Sequence, residues 1–466
     1  MNAEHQRLEA EASEVFRRMT ELSAGAALLS SLELAGLETE LAGLGCRLAS
    51  LPLGMALIRS AAAPELARRE REFVAALPAT FHSQGTRTKQ VVLPGSVTVA
   101  LEVRYVHRKK TPAVLDKRRR GLFPALLLLG IQERFPPGVR MRMANAAALL
   151  GSYEEAATML AGEGIVVCVN ALRKVTAGLG RMLRRLTHQG LLKVVGTVKD
   201  LRIVVTMDGG RVRLRERRKG KTKKGRKQFS PQWREPRLFV IYAVDENGRQ
   251  ADDFSTIIDG SLGSCDEFFA LLQAHLSGLG IGEAARVLFV ADGAARIWRR
   301  VPKRIKALGL KDDQARPLID FWHAVEYLGK LAESERLAGS AKKHWLTTQK
   351  NRLLRGEIGS VVEELRKLVG QRPTKSQRTW LNDFKTNGLT HRRMDYSVSR
   401  AQKTPIGSGA VESAVRRVIN LRVKSNATYW LRENAETMIR LRSWIKAGRG
   451  EELFRQTTCI TPQLAL

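Results

Sequence analysis

Leu201-Arg-Ile-Val-Val-Thr-Met-Asp-Gly-Gly210 and Arg286-Val-Leu-Phe-Val-Ala-Asp-Gly-Ala294 decide how this chain is read. Each is a short apolar run ending in Asp-Gly, and the second is almost continuously hydrophobic, as strands buried on both faces are. Leu238-Phe-Val-Ile-Tyr-Ala-Val244 and Phe254-Ser-Thr-Ile-Ile258 read as further strands, joined through the turn residues Asp245-Glu-Asn-Gly248, and Asp266 to Leu279 reads as a helix. This alternation predicts an α/β sheet domain from about Leu201. A carboxylate just beyond a buried strand is fixed by the sheet and points into the crevice at the strand ends, where open α/β sheets place their sites. Singly, an Asp-Gly after a strand is more often a turn than a ligand. As a pair, Asp208 and Asp292 meet a requirement of phosphodiester chemistry with two hard divalent ions, namely carboxylates from separate elements holding metals ~3.5–4 Å apart. A third acid is then expected. Glu412, in Ile406-Gly-Ser-Gly-Ala-Val-Glu-Ser-Ala-Val-Arg-Arg417, lies in the first turn of a helix with a Gly-rich entry, where it equally suits the helix dipole.

The chain has 466 residues, with 79 Lys+Arg against 46 Asp+Glu and a net charge of +33. Hydrophobic residues make up 44%, which excludes a wholly disordered basic protein and puts the charge on folded surfaces. Four scattered cysteines, Cys46, Cys168, Cys265 and Cys459, form no CxxC pair; this argues against a disulfide scaffold or Cys-rich zinc module and fits a reducing cytoplasm. The longest apolar runs, such as Gly121 to Ile131, read as too short to span a bilayer, and the acidic N-terminus is unlike a signal peptide, so no membrane partner is expected. Such an excess of positive charge points to a polyanionic partner, nucleic acid first.

The excess is segregated. Residues 1–80 hold 11 Asp+Glu and 8 Lys+Arg, and their Leu/Ala/Glu-rich helical spacing predicts a packing or dimerisation segment. From Gln90 to Tyr105 a period-two pattern predicts a hairpin turning at Pro94-Gly95, within a small β region over 81–135. In 136–195, Ser152-Tyr-Glu-Glu155 opens a helix to about Ala161, Gly162-Glu-Gly164 breaks it, and a basic helix runs from Val166 to Arg184. This fits a helix-turn-helix presenting Asn170, Arg173 and Lys174 to a major groove, or an ordinary pair of packed helices. Between the first two sheet strands, Arg211 to Arg237 carries 13 Lys+Arg and two acids. It reads as a mobile arm tracking phosphates through Arg217, Arg218, Lys219, Lys221, Lys223, Lys224, Arg226 and Lys227, or as a merely solvated loop. Arg416, Arg417, Arg422 and Lys424 are expected along the same path.

Met207-Asp-Gly-Gly210, Phe289-Val-Ala-Asp-Gly-Ala-Ala-Arg-Ile-Trp298, Asp320-Phe-Trp-His-Ala-Val-Glu-Tyr-Leu328 and Gly407-Ser-Gly-Ala-Val-Glu-Ser-Ala-Val-Arg-Arg-Val418 resemble, in order, the motifs of bacterial insertion-sequence transposases. The likeness is to the Kra-type group within the Mutator-like assemblage of Asp-Asp-Glu enzymes, and it covers roughly Arg140 to Arg442. It implies a multidomain α+β protein: a helical N-terminal region, a helix-turn-helix-like domain, and an RNase H-like α/β core over 196–330 and 401–445. A helical insertion over 331–400 would precede Glu412, and 446–466 would form a tail. The resemblance further implies Asp208, Asp292 and Glu412 as catalytic ligands of two Mg²⁺, for which Mn²⁺ can substitute, and a Cys/Asp-x-x-His element matched by Asp320 and His323. Asp208 with Asp292 would hold one ion and Asp208 with Glu412 the other. Asp320 and His323 would orient DNA or anchor a strand-to-helix junction, and Trp298 and Trp322 would stack on unpaired bases or fill the core.

Two departures stand out. His107-Arg-Lys-Lys-Thr-Pro112 has no Cys where some relatives carry a zinc-binding pair, and Lys424-Ser-Asn-Ala-Thr-Tyr-Trp430 stands where relatives are Gly-rich. The implied activity is cleavage of double-stranded DNA at the ends of a mobile element and strand transfer to a target, by a homodimer or higher oligomer in the bacterial cytoplasm at the nucleoid. A structure-specific RNase H-like nuclease, or a non-cutting regulator derived from a transposase, are the alternatives.

Overall fold

The computed structural model describes all residues except 1–2, 26–28, 79, 109–120, 222–224, 226, 426–427, 460 and 463–466, and only the backbone of Lys221 and Lys227. The fold is mixed α+β with a helical N-terminal region. Contacts gather the chain into two compact units, Met1–Gln189 with Gly450–Leu466, and Gly190–Arg449.

The first unit opens with helices α1 (Ala3–Ala24), α2 (Ser31–Ala62) and α3 (Pro64–Ala75). Leu8 and Val15 of α1 and Leu51 and Ile58 of α2 pack with Val91, Val97, Val99 and Leu101 of the antiparallel hairpin β1 (Phe81–Val92) and β2 (Thr98–Arg108). The hairpin turns where expected, and Gly95 holds φ +66°, with Arg47 so close that a Cβ would meet its backbone at 2.4 Å. A short strand, β3 (Gly121–Leu122), and α4 (Pro124–Leu128) follow, then α5 (Pro137–Leu149), α6 (Tyr153–Gly162) and α7 (Val169–His188). Ser152 caps α6 by accepting the N–H of Glu155. The buried stripe Leu172, Val175, Leu179, Leu183, Leu186 turns α7 onto its neighbours and leaves Asn170, Arg173 and Lys174 exposed.

The outer half of the α1–α2 pair is thinly covered: Phe16 and Leu34 are exposed, and Leu32 is 84% exposed. Helix α2 corrects the expectation that every apolar run is too short to span a bilayer. By length and composition only, Ser31–Ala62 is long and apolar enough to cross a membrane, a property it shares with core helices of soluble proteins. Charges spaced along the sequence hid a run that averaging over a helical length reveals.

The second unit is built on a five-stranded sheet of β4 (Arg202–Gly209), β7 (Arg237–Val244), β8 (Ile257–Ser261), β9 (Arg286–Ala291) and β10 (Ala315–Ile319), ordered β10-β9-β4-β7-β8. Strand β4 is antiparallel to β7 and parallel to β9, and β10 is parallel to β9. The third strand was expected at Phe254–Ile258 and lies three residues later, because Val244 first bridges Gln250 across the turn. The segment 211–237, expected as a mobile arm, instead forms a hairpin of β5 (Val212–Lys221) and β6 (Lys227–Arg234). Val212 and Leu214 are fully buried on one of its faces, an alternation masked in sequence by the many basic residues between them.

Helix α8 (Cys265–Gly278) connects β8 to β9; α9 (Ala295–Trp298) and α10 (Val301–Ala307) lead to β10. Next come α11 (Phe321–Ser334), α12 (Gly339–Arg355), α13 (Ile358–Val369), α14 (Lys375–Asp383), a π-helical turn Phe384–Thr390 and α15 (Tyr396–Ala401), helical throughout as anticipated for 331–400. Helix α16 (Gly409–Val415) continues into a π-helical turn, Arg416–Asn420, and α17 (Arg432–Lys446) closes the unit. The segment expected as a tail is instead α18 (Gly450–Thr458), which packs on α5 and α7 of the first unit through Leu453 and Phe454.

A buried ionic knot fixes α17 to the sheet edge. Asp259 of β8 is wholly buried and accepts from Arg440 Nε at 3.1 Å and Nη2 at 2.7 Å, Trp444 Nε1 at 3.2 Å and the Gly260 N–H at 2.8 Å, with His275 Nε2 at 3.1 Å. Burial alone would raise the Asp259 carboxyl; the charge of Arg440 and the hydrogen bonds of His275 and Arg440 outweigh it and hold the group well below the usual range. Because the folded value lies below the unfolded one, this stabilisation is complete above about pH 5 and is lost as pH falls below that. Asp259→Ala removes the buried carboxylate that faces Arg440 and is expected to cost about 3–5 kcal/mol in denaturant unfolding at pH 7. The deficit relative to the parent should shrink on acidification, and an undiminished deficit in strong acid would show that packing, not charge, carries it.

Candidate active site

The sheet brings the acids together. Met207 of β4 is in parallel register with Ala291 of β9, and Ala291 with Ile319 of β10, so Asp208, Asp292 and Asp320 leave three adjacent strand ends. Asp208 Oδ1 accepts its neighbour Gly209 N–H at 2.6 Å, and Asp292 Oδ1 accepts the Ala294 N–H at 3.0 Å. Trp298 Nε1 donates to the Asp292 carbonyl at 2.6 Å and fixes that turn. Two glycines after Asp208 answer to space rather than to φ. A Cβ at Gly209 would meet Glu235 Oε1 at 2.8 Å, and one at Gly210 would meet Ile419 Cδ1 at 2.9 Å and Val415 Cγ1 at 3.4 Å. Thus Gly210 lets the helix carrying Glu412 close onto the end of β4.

Glu412 sits on α16, which packs over β4 and β7. Its Oε1 accepts Ser408 Oγ at 3.1 Å, while the Ser408 N–H donates to Asp320 Oδ2 in a short hydrogen bond. Asp320 is wholly buried; its Oδ1 accepts the His323 N–H at 2.9 Å, capping α11, and its own N–H donates to the Ala291 carbonyl at 2.8 Å. Asp320 therefore ties the end of β9 through its N–H, and the start of α11 and the entry to the Glu412 helix through its carboxylate. Asp320 is a structural anchor, and His323, half-buried, lies with Nδ1 3.6 Å from Glu326.

Asp208 feels the charged groups around it. Burial raises the Asp208 carboxyl above its ordinary range; the Gly209 N–H opposes this, Asp292 raises it further, His323 lowers it and Glu412 raises it. Among the described residues no Lys or Arg forms a salt bridge with Asp208, Asp292 or Glu412, although ion pairs are plentiful elsewhere in the chain. No three His, Cys, Asp or Glu side chains among the described residues are gathered closely enough to cage an ion as they stand. The donor set, three carboxylates and no thiolate, suits a hard divalent cation such as Mg²⁺ or Mn²⁺.

The remaining expected residues fall into distinct places. Trp298 is buried and acts on the Asp292 turn, so it is not a base-stacking surface; its indole closes the core beneath Arg393. Trp322 is 61% exposed beside His323, with Lys350 Nζ 5.6 Å from its ring centre. Arg416, Arg417 and Lys424 are exposed beyond Glu412. Arg422 is buried with its guanidinium over the Trp430 ring at 5.3 Å, which corrects its assignment to the DNA path: an apolar neighbour buries the cation. Arg217, Arg218 and Lys219 are exposed on β5. Lys223, Lys224 and Arg226 lie outside the described residues, as do the side chains of Lys221 and Lys227, residues 109–112 of the Cys-free stretch, and Asn426 and Ala427.

Sequence reading missed Ser408, whose signal was a hydroxyl four residues before Glu412 at a helix entry. It also missed Arg442, buried on α17, which donates to the Val418 carbonyl at 2.9 Å and to the Arg417 carbonyl, holding the π turn behind Glu412. Nothing local marks Arg442 in the sequence. Compared with known proteins, the chain matches no family model and no curated protein sequence.

Gly210→Ala is expected to cost about 1–3 kcal/mol, because the added methyl presses on fully buried Ile419. Gly409→Ala, with nothing within 4 Å of its Cβ, should be neutral or stabilising. Chemical denaturation of the two variants checks the pair; equal effects would mean that the β4–α16 approach is loose.

Proposed function

We propose that the chain is a DNA transposase of the Asp-Asp-Glu kind with an RNase H-like core. In this reading it binds the ends of its mobile element, cuts the DNA and joins 3′ ends to a target. The observation that carries the proposal is that Asp208 and Asp292 leave adjacent strand ends, that Glu412 acts electrostatically on Asp208, and that among the described residues none of the three has a salt-bridge partner in a protein of net charge +33. Burial and the nearby Asp292 and Glu412 carboxylates raise the Asp208 carboxyl above its ordinary range, a cost that a structural role would remove with an arginine. The sheet order β10-β9-β4-β7-β8, with β4 antiparallel to β7 and parallel to β9, is that of an RNase H-like sheet and supports the same reading. Two bound Mg²⁺ would activate the attacking oxygen and stabilise the leaving one.

The chain's own residues supply the rest. Asp208, Asp292 and Glu412 would hold the two ions, Asp208 serving both. Ser408 orients the Glu412 carboxylate, and Asp320 orients Ser408. Arg217, Arg218 and Lys219 with Arg416, Arg417 and Lys424 would contact phosphates, so binding should weaken steeply with salt. Asn170, Arg173 and Lys174 on α7 are the counterpart surface in the first unit.

Labelled fragments carrying the element's ends, incubated with Mg²⁺, test the proposal. Cutting and joining are expected from the parent, and Asp208→Ala, Asp292→Ala and Glu412→Ala should each lower the rate by about a thousandfold or more, as several kcal/mol of charge stabilisation are lost. Undiminished cutting by either Asp variant overturns the site, and cutting without joining overturns transposition in favour of a nuclease.

We also propose that the exposed outer half of the α1–α2 pair joins a second copy. Residues 1–80 are slightly acidic while the rest of the chain is strongly basic, so this is the region where two copies can meet with least repulsion. Light scattering should give a dimer for the parent and a monomer for Leu32→Glu with Leu34→Glu; a parent that runs as a monomer would contradict it.

A further inference from the structure

The β5–β6 hairpin has two unlike faces. Val212 and Leu214 are buried on one. The other carries Arg213, Arg215 and Arg217, and the antiparallel register places Trp233 opposite Arg213 and Phe229 opposite Arg217 on that same side. Basic and aromatic residues therefore alternate across it. The Arg213 guanidinium lies 5.4 Å from the Trp233 ring centre and 5.0 Å from that of Tyr429, and the Arg215 guanidinium lies 4.3 Å from that of Phe229. Trp233 is 53% exposed and Tyr429 44% exposed, so each ring keeps an open surface.

Backbone hydrogen bonds make this a fixed platform. The Trp430 N–H donates to the Arg213 carbonyl at 3.0 Å, the Arg215 N–H donates to the Trp430 carbonyl at 2.8 Å, and Arg213 Nη2 donates to the Ser425 carbonyl at 3.2 Å. Trp430 Nε1 in turn donates to the Val423 carbonyl at 3.0 Å, just beyond the π turn that follows Glu412. The platform is thus anchored to the segment that follows Glu412, and Gly210 and Arg211 join it along the chain to the strand carrying Asp208.

Large aromatic rings left open to water beside fixed arginines suit one kind of ligand well. A duplex offers phosphates to the arginines but keeps its bases stacked on one another. An unpaired strand offers phosphates and free base faces together. We propose that this face of the hairpin, with Tyr429, is a stacking platform for unpaired nucleotides of DNA. Arg213 is five residues beyond Asp208. That is a reach of at most ~18 Å, so the stacked nucleotides lie within about five positions of the phosphate at Asp208. The platform would hold a strand that has parted from its complement next to the cut. This inference rests on the reading of Asp208 as part of a DNA-cutting site.

The full chain, held in EDTA so that nothing is cut, is titrated against a blunt duplex and against the same duplex with a short single-stranded tail. The parent is expected to prefer the tailed duplex. Trp233→Ala and Tyr429→Ala should each lose about fivefold or more in affinity for the tailed duplex while binding the blunt one as before, and Trp233→Phe should keep most of the preference. No preference in the parent, or an equal loss on both duplexes in the Ala variants, overturns the platform; unchanged blunt-duplex binding also reports that the hairpin has folded. Because no divalent ion is needed, failure to cut DNA in Mg²⁺ and failure to prefer a tail are separate results.

Discussion

The parallel register of β4 with β9 is the constraint on which the second unit depends. It sets Met207 beside Ala291, and one residue further on it sets two carboxylates beside each other at adjacent strand ends. Strand spacing near 4.8 Å leaves Asp208 and Asp292 little choice but to share one small volume. The third parallel strand adds Asp320 to the row, and its carboxylate is spent on backbone N–H groups at Ser408 and His323. Neighbouring acids thus take different roles: one is consumed in positioning the segment that brings Glu412, and under the proposed function the other two are left for a ligand.

That division explains why the rest of the unit is tied so firmly around a weakly compensated centre. Asp259 with Arg440 locks α17 to the sheet, and Arg442 on the same helix grips the carbonyls behind Glu412. Arginines are thus used to satisfy buried carbonyls and a buried aspartate, while among the described residues none forms a salt bridge with Asp208, Asp292 or Glu412. A folded protein that can place a guanidinium against Asp259 has no difficulty placing one against Asp208. Leaving it out costs stability at Asp208, and under the proposed function that cost is offset by a divalent cation and a phosphate.

Much of this was legible in the sequence because it is local. Runs of β-branched residues gave β4 and β9 with the acids that follow them, period-two alternation gave the β1–β2 hairpin, and the Gly-rich entry marked the Glu412 helix. What escaped was decided elsewhere in the chain or hidden by charge. The β5–β6 hairpin alternates as any half-buried strand pair does, yet the 13 basic residues of 211–237 made the segment look like an unstructured arm. Arg422 and Trp298 are typical nucleic-acid-binding types, and only their neighbours Trp430 and Asp292 show them to be buried. Ser408 and Arg442 act through partners 88 and 24 residues away, a relation no window of sequence contains.

The central claim is that Asp208, Asp292 and Glu412 form one site for hard divalent cations. Titration of the full chain with Mn²⁺, followed by electron paramagnetic resonance, addresses it without reference to any DNA substrate. The account predicts two bound ions with mutually coupled spins, as expected for metals ~3.5–4 Å apart, and loss of that coupled signal in Asp208→Asn. Mn²⁺ binding that is absent, or that Asp208→Asn leaves unchanged, would contradict it.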